Sequence, residues 1–476
     1  MLFQLTRKYF FCIVSVVMVT GNAGCRKLIE IDPPARTITT SQVFVDSVNA
    51  AAGLAGIYSR LINTGGAVSF GSGAMTIYSG LSSDELVNFS KDDASVNQFY
   101  DNTLQPFNEY ITYTFWSDVY YLVYQINAVI EGVSGSSGIS ESAKNQFVGE
   151  AKFLRSYIYF YLVNIFGEVP LVSSTDYKLN SLAAKNSIDQ VYKFIVKDLM
   201  DAKDLLGGGF MISGGERIRA TKWSSMALLA RVYLYINDYK NAEVYSTDVI
   251  NSEQFSLVDD LSQVFLKNSS EAILQFQISS NSGLSTYNAT PEGYNLIMLA
   301  PFPPRYYLSS ELLNAFEPSD QRKIAWTNST QYAGNTYYYP FKYKIGAAVA
   351  EPNAPTTEYY MVLRIAEQFL IRAEARARQN NLQGAVADMN AVRNRAGLLS
   401  ISGSLSQNEI LQAIAHERRI ELFSEWGHRW LDLKRTNQVN SVMSILKPLW
   451  QPYQQLYPIP LSELGANPNL VQNTGY

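Results

Sequence analysis

Residues 226–250, MALLARVYLYINDYKNAEVYSTDVI, and residues 366–393, AEQFLIRAEARARQNNLQGAVADMNAVR, carry one pattern twice. In the first, a helix through Ala230 meets the turn Asn237-Asp238-Tyr239, and a second helix opens at Ala242. In the second, a helix through Ala373 meets Asn380-Asn381-Leu382, and its partner opens at Ala385. Both alanine pairs lie 12 residues apart. Small residues at matched places on two antiparallel helices let their backbones approach, and a short turn between helices is the joint of tetratricopeptide-type hairpins. The tandem period of roughly 34 residues that defines such repeats is absent. The pattern therefore predicts a mainly α fold, a tetratricopeptide-like helix-hairpin scaffold interrupted by a large insertion, with an unrelated all-α bundle as the alternative.

Further helices are expected on either side. In 147–166, Phe147, Ala151, Leu154, Ile158, Tyr161, Leu162 and Ile165 step by three and four, and Gly167 and Pro170 stop the run. A second segment, Val191 to Leu206, ends in Gly207-Gly208-Gly209. The insertion, 252–360, opens with a strand-like alternation at Leu274, Phe276 and Ile278 and then holds eight of the 17 prolines. A hundred residues without a long helical period seldom serve packing alone, and loops on a rigid scaffold are where recognition sits. Residues 63–112, rich in Gly, Ser, Asn and Asp, read as a second irregular stretch. The expected divisions are a helical region 41–251 and a region 252–476, the latter comprising the insertion 252–360, with a few short strands, and the helical part 361–476.

The N-terminus sets the compartment. Arg7 and Lys8 precede an apolar run, Tyr9 to Thr20, too short to cross a bilayer core of about 30 Å, and read with it as a signal peptide, residues 1–24. Gly21, Ala23 and Gly24 lead to Cys25 in an order that resembles a bacterial lipobox, which makes Cys25 the expected lipidation site and residues 25–40 an extended tether containing Pro33-Pro34. The other cysteine, Cys12, lies in the segment to be removed, so no disulfide or thiolate metal site is expected. The 476 residues hold 38 basic and 42 acidic side chains and are 47% hydrophobic, which excludes a disordered chain and a nucleic-acid binder working by bulk positive charge. Without residues 1–24 the balance is 36 to 42, a net of −6, so membrane attachment rests on the lipid anchor alone and not on charge.

Catalytic motifs are scarce. His416 and His428 lack metal-site spacing, and no Walker loop, nucleophile elbow or dinucleotide fingerprint is present. The acid pairs Asp84-Glu85, Asp92-Asp93 and Asp259-Asp260 read as solvated loop acids that cap helices or bind a surface cation, since a glycosidase assembles its carboxylates from distant positions. No cofactor, metal or enzymatic activity is expected. What remains is an aromatic excess of 32 Tyr, 23 Phe and 6 Trp. Trp116, Tyr120, Val123 and Asn127 follow helical spacing and are assigned to packing. Phe89, Phe99 and Tyr100, together with Tyr306, Tyr307, Trp326, Tyr332 and Tyr337-Tyr338-Tyr339, fall in the irregular stretches. A flat ring beside amide and carboxylate groups suits a sugar, whose C–H face stacks on the ring while its hydroxyls form hydrogen bonds.

Several ordered motifs carry a resemblance. Glu150-Ala151-Lys152-Phe153-Leu154-Arg155 with Phe166-Gly167-Glu168-Val169-Pro170-Leu171, Ala220-Thr221-Lys222 leading into Ala227-Leu228-Leu229-Ala230-Arg231, and Asn390-Ala391-Val392-Arg393 follow one another in order. Glu417-Arg418-Arg419-Ile420-Glu421-Leu422 then precedes Gly427-His428-Arg429-Trp430-Leu431-Asp432-Leu433-Lys434-Arg435, and Pro458-Ile459-Pro460 and Asn467-Pro468-Asn469-Leu470 close the chain. Together these resemble the SusD/RagB family of bacterial outer-membrane lipoproteins, from Cys25 to the last residue. Trp426 departs from the pattern, separating Glu425 from Gly427 where many relatives run Glu-Gly, and puts the local helix geometry in question. The charged groups of 417–435 sit at helical spacings that permit internal ion pairs and are assigned to structure.

The resemblance implies a SusD-like α-α superhelix and a non-enzymatic surface lipoprotein of the outer membrane. Such a protein sits as a lid on a SusC-like TonB-dependent barrel and captures a nutrient, most often an oligo- or polysaccharide. Loop aromaticity selects Phe89, Tyr306, Trp326 and Tyr337 as candidate stacking rings, with Asp84 and Asn88 as their hydrogen-bonding partners. A RagB-like peptide-binding subunit, a helical scaffold with only protein partners, and a hydrolase are the other readings.

Overall fold

Both joints of the repeated pattern are built alike. Asn237 and Asn380 take left-handed backbone angles, φ 61° and 64°, a conformation that asparagine adopts more readily than other side-chain-bearing residues. The next residue, Asp238 or Asn381, then caps the following helix by accepting the backbone N–H of Asn241 or Gly384. Ala230, Ala242, Ala373 and Ala385 are fully buried where the paired helices touch.

The structure is a computed structural model that describes residues 43–62, 68–278, 287–297, 301–402 and 404–476. Cys25, the segment 1–24 and the tether 25–40 lie outside them. Helices of at least seven residues are α1 (Ser47–Ile62), α2 (Ala74–Ser82), α3 (Ala94–Tyr100), α4 (Asp118–Gly135), α5 (Glu141–Phe166), α6 (Ile188–Leu205), α7 (Lys222–Tyr235), α8 (Tyr239–Ile250), α9 (Ile365–Arg378), α10 (Leu382–Arg395), α11 (Gln407–Glu421), α12 (His428–Arg435) and α13 (Val439–Leu446). Hairpins α5/α6, α7/α8 and α9/α10 stack in order, α6 on α7 and α8 on α9, with α11 continuing the pile. This is the expected mainly α, tetratricopeptide-like superhelix. Gly167 ends α5 at φ 76°, and a capping box of Ser187 and Gln190 opens α6.

One part of the sequence reading needs correction. The stretch 63–112 is not uniformly irregular, because it contains α2, α3 and a short strand, β1 (Leu86–Asn88). All nine residues of α2 are buried, so the helix has no polar face and shows no amphipathic period. Residues Tyr110–Ser117 form a π-helical turn leading into α4, within which Tyr120, Val123 and Asn127 keep the α spacing, and Trp116, Val123 and Asn127 are buried as expected of packing residues.

The insertion is organised by three two-stranded antiparallel sheets. Strand β2 (Ala272–Phe276) pairs with β6 (Tyr360–Arg364), which runs directly into α9, and both are buried on each face. Strand β3 (Tyr306–Leu308) pairs with β1, and β4 (Thr327–Tyr332) forms a hairpin with β5 (Asn335–Pro340). A buried ion network fastens the insertion to α11. Arg364 meets Glu425 at 2.8 Å and Glu421 at 2.5 Å, Arg322 meets Glu417 at 2.5 Å, Arg395 meets Glu271 at 2.8 Å, and Lys342 pairs with Glu425. Removing one partner of such a pair leaves an uncompensated buried charge, at a cost of about 3–5 kcal/mol.

The Trp426 departure has a structural role. Ser424, Trp426 and Gly427 all have positive φ, and the turn they make between α11 and α12 drives the indole into the core. There it packs against Tyr157, Tyr161, Phe276 and Tyr360 and donates Nε1–H to the Met361 carbonyl at 2.7 Å. A Cβ at Gly427 would lie 2.7 Å from that of Ser79. The charges of 417–435 do serve structure, but mostly by pairing across elements. Arg435 with Asp432 follows helical spacing, whereas Arg418 reaches Asp432 from a different helix and Arg435 reaches Glu374.

Candidate functional site

The pairing of β1 with β3 sets which aromatic rings face outward. Val87 lies opposite Tyr307 and Asn88 opposite Tyr306, and cross-strand partners share a face. Leu86, Asn88, Tyr306 and Leu308 are buried, so Val87 and Tyr307 take the outer face, and Phe89 follows two residues after Val87. The Phe89 N–H donates to the Arg305 carbonyl at 3.1 Å and extends the ladder by one residue.

The β4–β5 hairpin then leans on this ledge. Its two-residue turn, Ala333-Gly334, has φ 47° and 81°, both positive as a tight twisted hairpin requires. Thr330 pairs with Tyr337 and Tyr332 with Asn335, which puts Tyr332 and Tyr337 on one face. That face meets Phe89, whose ring centroid lies 5.8 Å from Tyr332 and 5.4 Å from Tyr337, both edge-on. Tyr337 also meets Tyr307 edge-on at 5.1 Å. Edge-to-face contacts hold rings rigidly, and all four are half-buried. Tyr338, on the opposite face of the hairpin, is exposed.

Polar groups surround this cluster. Ser90, Lys91 and Asp92 follow Phe89, with the Ser90 hydroxyl 3.1 Å from Asp92, and the exposed Arg305 precedes Tyr306. Tyr100, at the end of α3, carries Lys447 Nζ at 3.8 Å and Lys91 Nζ at 4.6 Å from its ring centroid. Burial lowers the Lys447 ammonium to about 8, and it donates to the Tyr100 carbonyl at 2.7 Å. Rigid rings rimmed by hydroxyl, carboxylate, ammonium and guanidinium groups can hold a flat polyhydroxylated ligand by stacking and hydrogen bonds.

Of the six ligand contacts expected from sequence, Phe89 and Tyr337 lie in this cluster, and the other four are interior residues. Trp326 is 0% exposed, donates Nε1–H to the Leu261 carbonyl at 2.9 Å and has Lys342 Nζ 4.8 Å from its ring, so no face is open to a ligand. Tyr306 is buried, and burial pushes its hydroxyl up to about 12. The Asn88 amide nitrogen donates to Ser90 O and Asn97 Oδ1. Asp84 accepts from Arg429 at 2.7 and 2.9 Å and from Arg419 at 2.8 Å; burial opposes its charge, but the two arginines hold its carboxyl below the usual value. Its neighbour Glu85 is driven the other way, to about 8, by burial and by the Asp84 charge. The reading of Asp84-Glu85 as solvated loop acids is thus reversed, whereas Asp93 and Asp260 do cap helices. Tyr307, Tyr332 and Tyr100 complete the surface. The buried Leu308 two positions from Tyr306 is the signal that could have chosen Tyr307 over its neighbour.

The two histidines take no part in the cluster. His428 is buried, which lowers it to about 4, and His416 lies 3.7 Å from Glu317 on the surface. Among the described residues no group of three or more His, Cys, Asp or Glu is placed to hold a metal, and no helix is long and apolar enough to cross a membrane.

Residues 61–234 match a SusD-like family described as starch-binding and associating with the outer membrane, and residues 316–476 match the SusD family. A SusD-like protein of Formosa agariphila is 26% identical over 95% of this chain and 96% of its own length, and the starch-binding protein SusD of Bacteroides thetaiotaomicron is 23% identical over 72% and 75%. Among solved structures, a laminarin-binding SusD-like protein superposes with a TM-score of 0.75 at 25% identity over 90% of this chain and all of its own, and a surface glycan-binding protein from B. thetaiotaomicron shares the fold at 0.75. With matches on both halves of the chain and one fold across them, the protein belongs to the SusD/RagB family.

Proposed function

We propose that this protein captures an extracellular oligo- or polysaccharide on the surface formed by Phe89, Tyr307, Tyr332 and Tyr337. The observation that carries the reading is the cluster itself: four half-buried rings locked edge to face on a strand ledge and a hairpin. The starch-, laminarin- and glycan-binding names of relatives support the same ligand class. Rigid rings lose little conformational freedom on binding, and a shallow site releases its cargo readily. The protein acts as a lid subunit, tethered to the outer membrane through lipid on Cys25, and passes its ligand to a SusC-like TonB-dependent barrel.

Native electrophoresis through gels containing single polysaccharides tests the ligand. One glycan should retard the wild-type chain, and the Phe89→Ala/Tyr337→Ala double variant should migrate freely. Retardation of both equally would locate binding elsewhere. Incorporation of labelled palmitate, lost in Cys25→Ser, tests the anchor, and co-purification of a barrel protein from outer membranes tests the partner.

A further inference from the structure

A second concavity, of about 390 Å³ and sharing no lining residue with the ring cluster, lies between the C-terminal end of α9, α11 and the α12 segment. Five arginines line it: Arg378, Arg418, Arg419, Arg429 and Arg435. Three ionised carboxylates answer them. Asp432 binds Arg418 and Arg435, Glu374 binds Arg435, and Asp84 binds Arg419 and Arg429. Burial drives Glu85, behind Asp84, to about 8, so it adds no negative charge at neutral pH. The pocket thus keeps an excess of positive charge on a chain whose formal net charge is −4.

The internal ion pairs do not use up the guanidinium donors. Arg418 gives Nε and Nη2 to Asp432, and its Nη1 has no partner although the side chain is 1% exposed. Arg419 gives Nη2 to Asp84 and leaves Nε without a partner. Arg429 uses Nε and Nη2 on the same carboxylate. Arg378 is exposed, with its guanidinium carbon 5.8 Å from the Tyr239 ring centroid, and among the described residues no carboxylate pairs with it. The carboxylates hold the guanidinium planes in fixed orientations, and the wall of the concavity is left with two buried donors, Arg418 Nη1 and Arg419 Nε, that no protein acceptor takes up. Gln412 and Gln438, also in the wall, add neutral amides. Fixed guanidinium forks suit planar or tetrahedral oxyanions and bind them by charge-assisted hydrogen bonds.

We propose that this pocket binds an oxyanion: a carboxylate, sulfate or phosphate group. A uronate or sulfate-ester substituent on a glycan and a free inorganic anion share that chemistry. The site stands on its own geometry and does not depend on the ring cluster binding a sugar.

The test uses the full chain purified in detergent at low ionic strength. Inorganic sulfate, inorganic phosphate, a uronic-acid oligosaccharide and a neutral oligosaccharide are titrated separately by calorimetry. Sulfate or phosphate should bind saturably, and Arg378→Gln, which breaks no ion pair, should weaken that binding at least fivefold while leaving unfolding unchanged. Phe89→Ala should leave it unaffected. Tighter binding of the uronic-acid oligosaccharide than of inorganic sulfate, again lost in Arg378→Gln, identifies an anionic glycan as the source. Saturation by inorganic anions with no gain from the oligosaccharide identifies a free anion. Absence of saturable binding by any anion, or binding equal in wild type and Arg378→Gln, overturns the proposal.

Discussion

Glu292 lies beneath the Trp426 turn with its Oε1 accepting from the Thr76 hydroxyl and, at 2.8 Å, from the Tyr360 hydroxyl. Thr76 in turn accepts the Trp426 N–H at 2.9 Å, so one carboxyl supports α2, β6 and the turn between α11 and α12. Burial raises Glu292 from its ordinary value near 4.5 to about 8, the two hydroxyls opposing only in part. In the unfolded chain at pH 7 the group is ionised, whereas in the fold it holds a proton. Folding therefore takes up a proton, and stability falls as pH rises from 4.5 to about 8. At about 1.36 kcal/mol per pH unit, the contribution changes by roughly 3 kcal/mol between pH 5 and pH 7.5. Glu292→Gln keeps an acceptor for both hydroxyls and removes the proton uptake. Urea unfolding followed by tryptophan fluorescence should show the variant slightly less stable than wild type at pH 5 and more stable at pH 7.5, a swing of about 3 kcal/mol. An equal stability difference at both pH values would mean that Glu292 is ionised in the fold and would refute the reasoning.

Three further perturbations separate structural residues from ligand contacts. Trp326→Phe should lose about 1 kcal/mol of stability with the hydrogen bond to Leu261, by chemical denaturation, and leave glycan affinity unchanged. Asp84→Ala should cost about 3–5 kcal/mol at pH 7 by stranding Arg419 and Arg429. Because the Asp84 carboxyl lies below its ordinary 3.8 in the fold, its contribution is present above that pH and lost as pH falls further, so the variant should also show a flatter acid limb in a stability–pH titration. Asn380→Ala should cost about 1 kcal/mol, and Asn380→Gly little, when thermal unfolding is compared with wild type, because φ at this joint is 64°.

The scaffold was legible because its signals are local. Ala230, Asn237 and Ala242 in one hairpin, and Ala373, Asn380 and Ala385 in the other, mark the helix contacts and the joint within 12 residues of chain each. The helix Ala74–Ser82 escaped notice because burial on every side erases the polar face that a periodicity reading needs. Loop aromaticity could not separate the half-buried Phe89 and Tyr337 from Trp326, whose burial is decided by Leu261, Phe265, Lys342 and Arg395, 16 to 69 residues away along the chain. Asp84 was misread for the same reason, since the arginines that claim it lie in the C-terminal helices. Within β3, alternation alone would have turned Tyr307 outward and Tyr306 inward, a choice that became clear once Leu308 was seen to share the buried face.

Calorimetric titration of the full chain in detergent against a panel of soluble glycans, laminarin and starch among them, together with peptide digests, tests the central claim most directly. The account predicts saturable heat with one glycan and at least a tenfold loss of affinity in the Phe89→Ala/Tyr337→Ala double variant. Silence across the glycans from a folded protein, saturation by peptides alone, or glycan binding untouched by the double variant would contradict it.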